Sequence, residues 1–197
     1  MIAPTPDGRF TVVTDLGLDA ALLYEFENEA FRLAGQGVVK AETGAGPRHF
    51  AFSPDGQTAY VINELNSTLD VFAYDGAMFA RRQTVSSLPA GFAGTNSCAQ
   101  VLVAPDGRFV YGSNRGHDSI AIWTVDAEGI VGDVRVVASG GACPRNFALS
   151  PDGRWLIAAN QDSNNLVVFA RDAETGGLRR TDQTIEVDSP VCVIFCD

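Results

Sequence analysis

Arginine, histidine and glutamate side chains recur in three short motifs of this 197-residue sequence. They are Arg48 and His49 in "GPRHF", Glu64 in "INELN", and Arg115 and His117 in "SNRGHDS". An arginine guanidinium binds a carboxylate or phosphate through two parallel hydrogen bonds. A histidine or carboxylate beside it can transfer a proton near neutral pH. These residue types therefore predict a site where an anionic small molecule undergoes acid–base chemistry.

The predicted site divides into two groups of side chains. The predicted catalytic residues are Glu64, Arg115, His49 and His117. The predicted substrate-binding residues are Arg48, Arg145 of "CPRNF", Asn114, and Gln161 of "ANQDS". The sequence has no GxSxG, HExxH or P-loop motif, which disfavours a serine hydrolase, a zinc hydrolase and a nucleoside-triphosphate enzyme.

A turn signal repeats along the chain and indicates the elements that must position these residues. The tripeptide Pro-Asp-Gly occurs four times, ending at Gly8, Gly56, Gly107 and Gly153, so successive copies are 48, 51 and 46 residues apart. A repeat of about fifty residues fits a propeller blade or a pair of helices. Ser, Pro and Gly in "SPDG" occupy favoured positions of a type I turn, so we expect the aspartates to shape turns and not to bind metal.

The segments between the turns predict strands. Short runs rich in Val, Ile, Phe and Tyr, such as "TAYVINE" and "TLDVFAYD", are bounded by Gly, Asn and Asp, and no helical period is sustained. We predict an all-β fold, a β-propeller of four-stranded antiparallel blades with about four blades present. The predicted blades of this single partial domain, residues 1–197, are 1–43, 44–93, 94–139 and 140–188, followed by a closing strand at 189–197.

Blade topology predicts which residues meet. In an up-and-down blade the Pro-Asp-Gly turn after the innermost strand lies on one face of the disc. The start of that strand and the end of the next lie on the other face, which therefore gathers the motifs above. For Asn63, Asn114 and Asn160 the alternative is a role in turns or in linking blades, because asparagine is common in hairpin turns.

Composition narrows the classes of partner. The formal net charge of −10 repels phosphodiester backbones, so we expect no nucleic-acid partner. No apolar run is long enough for a membrane span, and the start "MIAPTPDGRF" lacks the features of a signal peptide. Four cysteines without a CxxC pair and two histidines predict reduced thiols in a cytoplasmic protein, with no metal and no cofactor.

The motifs also carry a resemblance to a known family. "GPRHFAFSPDG", "NEL", "NRGHDSI" and the final "SPVCVIF", in this order, closely resemble the β-propeller lactonases. That family includes propeller-type 6-phosphogluconolactonases and fungal 3-carboxymuconate-lactonizing enzymes. The resemblance implies a seven-bladed propeller, metal-independent in the lactonizing branch, with a site of one histidine, two arginines and one glutamate. Arg48, Glu64 and Arg115 match the arginines and the glutamate, whereas the matching histidine is expected just before this chain begins.

The resemblance implies a hydrolase that opens an anionic sugar lactone, as a 6-phosphogluconolactonase does. Two alternatives remain open, a cycloisomerase that closes a carboxymuconate and a non-catalytic propeller scaffold or inactive fragment. About three of the family's seven blades are absent from the sequence. We therefore expect a C-terminal portion of a longer enzyme, or ends that meet in a smaller ring or an oligomer. Unpaired strand edges would favour self-association or contact with the missing N-terminal blades.

Overall fold

Four antiparallel sheets of four strands each make up the computed structural model, which describes residues 1–196. Consecutive strands are hydrogen-bonded neighbours within every sheet. This arrangement confirms the predicted all-β fold of four-stranded blades. We number the sheets blade 1 to blade 4 along the chain.

The strands have the following bounds. Blade 1 contains β1 (Ile2–Pro4), β2 (Thr11–Asp15), β3 (Ala20–Glu27) and β4 (Ala30–Lys40). Blade 2 contains β5 (Pro47–Phe52), β6 (Thr58–Asn63), β7 (Thr68–Tyr74) and β8 (Phe79–Ser86). Blade 3 contains β9 (Ser97–Val103), β10 (Phe109–Arg115), β11 (Ser119–Thr124) and β12 (Arg135–Ala138). Blade 4 contains β13 (Pro144–Leu149), β14 (Trp155–Asn160), β15 (Asn165–Arg171) and β16 (Leu178–Glu186), with a 3₁₀ turn at Gln161–Ser163.

The Pro-Asp-Gly turns connect the first and second strands of each blade. In blade 2 the Gly56 amide donates to the Ser53 carbonyl at 2.9 Å, and the Ser53 hydroxyl donates to Asp55 Oδ1 at 2.6 Å. Gly56 has φ 73°, a left-handed conformation that glycine adopts without steric cost. The same backbone hydrogen bond closes the turns that end at Gly8, Gly107 and Gly153. The aspartates of the repeat therefore shape turns, as predicted.

The hydrophobic core lies between neighbouring blades. Every residue of β6 and of β10 up to Asn114 is buried, because a blade packs on each face of these strands. Tyr60 and Trp123 belong to the core between blades 2 and 3, and Phe147 and Phe169 to the core between blades 3 and 4. The residues of the fourth strands are half-buried or exposed for the most part, as β8 and β16 show.

The first strands of successive blades lie side by side. Strand β9 of blade 3 contacts β5 of blade 2 and β13 of blade 4. The starts of these three strands therefore share one rim of the disc. The Pro-Asp-Gly turns lie at the other ends of the same strands, on the opposite face.

The structure differs from the prediction at the end of the chain. Residues 189–196 form no strand, whereas a closing strand was predicted at 189–197; Asp197 lies outside the described residues. Each blade already has a first strand of its own (β1, β5, β9 or β13), so the segment has no vacant place in these four sheets. It is attached to blade 4 through the Val193 amide, which donates to Asn146 Oδ1 at 2.9 Å.

Helices contribute almost nothing to the described residues. Within residues 1–196 no helix has the length and apolar character needed to cross a lipid bilayer.

Candidate functional site

Irregular strand pairing singles out Arg48 at the start of blade 2. Pro47 pairs with Asn63 and His49 pairs with Ile62, so Arg48 is an extra residue with no cross-strand partner. Such a β-bulge turns a side chain out of the regular pleat and is frequent beside active sites. The bulge therefore frees the Arg48 side chain to reach across to the next blade.

Blade 4 repeats this bulge at Arg145. Pro144 pairs with Asn160 and Asn146 pairs with Ala159, which leaves Arg145 as the extra residue. Arg48 and Arg145 thus occupy equivalent positions in blades 2 and 4.

Blade 3 lies between blades 2 and 4, and the register of β9 against β10 shifts at the equivalent position. Cys98 pairs with Asn114 and Val101 pairs with Gly112, so Ala99 and Gln100 together face a single residue of β10. Two arginines therefore flank a blade that presents Ala99 at the corresponding place.

Glu64 joins two of the predicted arginines. Its Oε2 lies 2.9 Å from Arg48 Nε, and its Oε1 lies 2.8 Å from Arg115 Nη2. The three side chains are 22%, 15% and 12% exposed, respectively, so the ion pairs are partly shielded from water but still accessible. The structure thus brings together the glutamate and both arginines that the family resemblance implies.

Backbone carbonyls of β9 fix the two guanidinium groups. Arg48 Nη1 donates to the Ala99 carbonyl at 2.7 Å, and Arg115 Nη2 donates to the Cys98 carbonyl at 2.9 Å. Arg48 Nη2 and Arg115 Nη1 make no hydrogen bond to residues 1–196. A guanidinium carries five N–H donors, so each arginine is held in place while it keeps donors for a ligand.

His49 supports Arg48 from the side. Arg48 Nη1 donates to His49 Nε2 at 3.1 Å, and His49 Nδ1 is hydrogen-bonded to Gln100 Oε1. Because arginine only donates, Nε2 must accept and the single ring proton must lie on Nδ1. Burial, with a further contribution from the Arg48 charge, lowers the pKa of His49 to about 4, although the Gln100 hydrogen bond opposes the shift. This neutral, doubly bonded ring favours a positioning role over the predicted catalytic one.

The state of His49 predicts a pH dependence of stability. The pKa of His49 is about 4 in the folded protein against an ordinary 6.5, so the unfolded chain binds the extra proton between these values. We expect the free energy of unfolding to fall by about 1–2 kcal/mol between pH 7 and pH 5. Urea unfolding at both pH values measures it, and His49→Gln should remove most of this loss. An equal loss in the variant would contradict the assignment.

His117 lies apart from the Glu64 ion pairs. Its Nδ1 is 2.7 Å from Ser119 Oγ, and its ring packs edge-on against Phe92 with centroids 4.8 Å apart. No hydrogen bond connects His117 to Glu64 or Arg115 within the described part of the chain. Its predicted catalytic role thus stays a prediction that the geometry leaves unsupported.

The structure differs from the prediction at Asn114. This residue is fully buried, and its amide group donates to the Ser87 carbonyl at 2.8 Å and accepts from the Ser87 hydroxyl at 2.8 Å. Asn63 and Asn160, at the equivalent positions, are also fully buried. Such burial leaves no path for a substrate. The three asparagines instead stabilise the ends of the second strands, in agreement with the alternative role in turns or in linking blades.

The remaining predicted binding residues lie on blade 4. Arg145 is half-buried and has no hydrogen-bond or ion-pair partner among residues 1–196. Its charge nevertheless acts on the site: burial first, then the positive charges of Arg115 and Arg145, hold the pKa of Arg48 below its ordinary value against the opposing effect of Glu64. Gln161 Oε1 is buried and has no partner either. Among residues 1–196, Glu64 is the carboxylate that forms ion pairs with the rim arginines, and it pairs with Arg48 and Arg115.

A sizeable cavity lies on the opposite face. It encloses about 800 Å³ between the Pro-Asp-Gly turns of blades 2 and 3, and its lining includes Asp55, Tyr60 and Asp126. None of the predicted site residues lines it. Chemistry and cavity size therefore point to different faces, and we take the arginine rim as the site because its charged groups converge. Among residues 1–196 no three His, Cys, Asp or Glu side chains gather as a set of metal ligands.

Sequence reasoning missed the groups that hold the arginines. The carbonyls of Cys98 and Ala99 carry no sequence signal. Gln100 of β9 occupies the place of His49 in β5 when the strands are compared by their register, and this equivalence becomes visible only in the structure.

Comparison with known proteins identifies a family over nearly the whole chain. A family model described as "Lactonase, 7-bladed beta-propeller" matches residues 1–195. An uncharacterized protein of Lactococcus lactis subsp. cremoris is 39% identical over 193 residues, which are 96% of this chain and 56% of the relative. The chain thus spans little more than half the length of the curated relatives it matches.

Solved structures give the same picture. The periplasmic gluconolactonase of Pseudomonas aeruginosa matches with a TM-score of 0.91 and 38% identity, covering 96% of this chain and 54% of that one. A Bacteroides fragilis protein with a suggested 6-phosphogluconolactonase activity matches with a TM-score of 0.91 and 34% identity, covering 100% of this chain and 57% of that one. Both are similar to the present chain across all four blades.

Proposed function

Because this chain belongs to the seven-bladed β-propeller lactonase family, we propose that it hydrolyses an anionic sugar lactone of the 6-phosphogluconolactone kind. The observation that carries the proposal is Glu64 held between Arg48 and Arg115 on the rim of the disc. The names of the similar proteins, gluconolactonase and 6-phosphogluconolactonase, support the substrate class.

Electrostatics favour an anionic ligand at this rim. The chain has a net charge of −10, yet Arg48 and Arg115 share the carboxylate of Glu64, and the positive charge of Arg145 acts on Arg48. A local excess of positive charge on an acidic protein attracts an anion to that place and away from the rest of the surface. The arginine fork fits both a phosphate and the carboxylate that lactone opening produces.

Glu64 supplies the base in the proposed reaction. Its two oxygens each accept one arginine hydrogen bond, and a carboxylate has about four acceptor positions, so it can also accept a proton from water. The water oxygen then forms a bond to the lactone carbonyl carbon. When the ring C–O bond breaks, the ring oxygen takes the proton back from Glu64, and the product is the open-chain hydroxy acid.

The arginines stabilise the charge that develops in this step. Water attack turns the carbonyl oxygen into an oxyanion, and donors that are fixed beforehand stabilise it without reorganisation. Arg48 Nη2 and Arg115 Nη1 are the donors that remain free for it. His49 and the β9 carbonyls hold the guanidinium planes in position.

A hydrolysis assay tests the proposal. The purified chain is incubated with glucono-lactone 6-phosphate, and acid release is followed above the rate without protein. We expect Arg115→Ala to lower kcat/KM by about tenfold to a hundredfold, since it removes charged hydrogen bonds to the reacting group. Arg154→Ala is the matched control, because Arg154 is exposed on the opposite face and pairs only with Asp152.

Three results would contradict the proposal. Absence of hydrolysis above background would favour a scaffold role. Conversion of a carboxymuconate in its place would favour the cycloisomerase. Hydrolysis unaffected by Arg115→Ala would remove Arg115 from the reaction.

A further inference from the structure

Arg145 has a defined position in the fold and no ion-pair partner among residues 1–196. It occupies the bulge of β13 equivalent to that of Arg48 in β5, so its side chain leaves the regular pleat at the same height of the disc. Arg48 uses this position to reach Glu64, whereas Arg145 reaches no carboxylate or carbonyl among residues 1–196. Half-burial of an uncompensated guanidinium costs free energy, and a bound anion would recover it.

Backbone contacts hold the segment before Arg145 in a fixed conformation. Cys143 has φ 58°, and its amide donates to Asp118 Oδ1 of blade 3 at 2.9 Å. The Cys143 carbonyl accepts the Gln161 amide at 2.9 Å. Gln161 therefore follows β14 directly beside the loop that leads into Arg145, and both residues share one corner of the rim.

Unsatisfied polar atoms occur at this corner and next to it. Gln161 Oε1 is buried without a hydrogen-bond partner within the described chain, and so is Arg115 Nε. Buried polar groups in folded proteins are nearly always hydrogen-bonded, so each exception needs an explanation. A ligand that carries both hydroxyl groups and negative charge would satisfy the glutamine acceptor and the arginine donors together.

We propose that Arg145 and Gln161 form a second subsite, which binds the phosphoryl group and a neighbouring hydroxyl of a phosphorylated sugar lactone. The inference rests on the proposed lactonase function, and it adds the residues by which the enzyme distinguishes a phosphorylated lactone from a neutral one. Arg145 pairs with the phosphoryl oxygens, and Gln161 Oε1 accepts a hydrogen bond from the sugar hydroxyl. Arg48, Glu64 and Arg115 act on the lactone carbonyl. The enzyme then prefers a phosphorylated lactone to the neutral sugar lactone.

The test compares the two lactones in one variant. We expect Arg145→Ala to raise KM for glucono-lactone 6-phosphate by about tenfold to a hundredfold, with a much smaller change in kcat. The ratio of kcat/KM for the phosphorylated over the neutral lactone should fall by the same factor, and Arg145→Lys should restore part of it. Arg154→Ala is again the control. An unchanged ratio would overturn the subsite.

Binding measured without turnover separates the two proposals. Gluconate 6-phosphate and gluconate are titrated calorimetrically into the wild type and Arg145→Ala. Tighter binding of the phosphorylated acid, lost in the variant, supports the subsite even if no lactone is hydrolysed, in which case only the catalytic proposal fails. Equal binding of both acids, equal binding to both proteins, or absence of binding to the wild type would overturn the subsite whatever the hydrolysis assay shows.

Discussion

Glu64→Gln is expected to lower kcat for lactone hydrolysis by about two to four orders of magnitude. A general base contributes about 10²- to 10⁴-fold to a rate, and an amide cannot take the proton of the attacking water. Glutamine keeps the size of the side chain and one oxygen acceptor, so one arginine hydrogen bond can survive. The measurement is initial-rate kinetics with glucono-lactone 6-phosphate at saturating concentration.

The loss must be separated from a loss of fold. Glu64→Gln removes the carboxylate that pairs with Arg48 and Arg115, so we expect some loss of stability as well. Urea unfolding and circular dichroism of the variant at the assay temperature report whether it is folded. Glu174→Gln is the matched control, because Glu174 is exposed and pairs only with Arg108 on the other face. A folded Glu64→Gln protein with wild-type kcat would remove Glu64 as the base.

The repeat made the architecture predictable from sequence. Each Pro-Asp-Gly turn is a local structure that its own residues determine, and the strands on either side are bounded by further turn residues. The burial of the side chains along each strand then follows from the stacking of the blades. The segment after Glu186 was harder, because whether it forms a strand depends on a vacant sheet position and not on its own apolar residues.

The site was predictable as a location and less so as a mechanism. Topology places Arg48, Glu64 and Arg115 on one rim, and the structure joins them by two ion pairs. The role of His49 depends on Gln100, which is 51 residues away in sequence, and a sequence read locally cannot show that contact. The predicted substrate-binding role of Asn114 was wrong for a similar reason, because its burial results from the packing of blades 2 and 3.

The other face of the disc carries an ion pair between a buried arginine and a partly exposed aspartate, which the sequence did not predict. Arg171, at the end of β15, is 2% exposed, and its Nη2 lies 2.6 Å from Oδ2 of Asp106 in the Pro-Asp-Gly turn of blade 3. Arg171 Nε also donates to the Tyr111 hydroxyl at 2.8 Å, and Nη1 donates to the Gly153 carbonyl at 3.2 Å. The network ties blade 4 to blade 3, so Asp106 has a second role besides shaping its turn.

The pKa of Asp106 is set by this network. Burial alone would raise the pKa of Asp106, but the Arg171 side chain and the Arg108 amide outweigh it and hold the pKa below the ordinary 3.8. A carboxylate with a depressed pKa contributes stability above its unfolded-state pKa and loses it as the pH falls through the folded-state value. The contribution is therefore complete at neutral pH and disappears only in acid below about pH 4.

Asp106→Ala is expected to lower the free energy of unfolding at pH 7 by about 3 kcal/mol. The substitution leaves the buried Arg171 cation without its carboxylate, which costs more than the loss of an exposed pair. Asp55→Ala is the control, since Asp55 accepts the equivalent backbone hydrogen bond and one from the Ser53 hydroxyl, has no buried arginine, and should cost only about 1 kcal/mol. Urea unfolding measures both, and the double variant Asp106→Ala/Arg171→Met should recover part of the loss because it removes the stranded charge. Equal costs for the two aspartates, or no recovery in the double variant, would mean that the turn alone accounts for Asp106 and that Arg171 contributes packing without a useful ion pair.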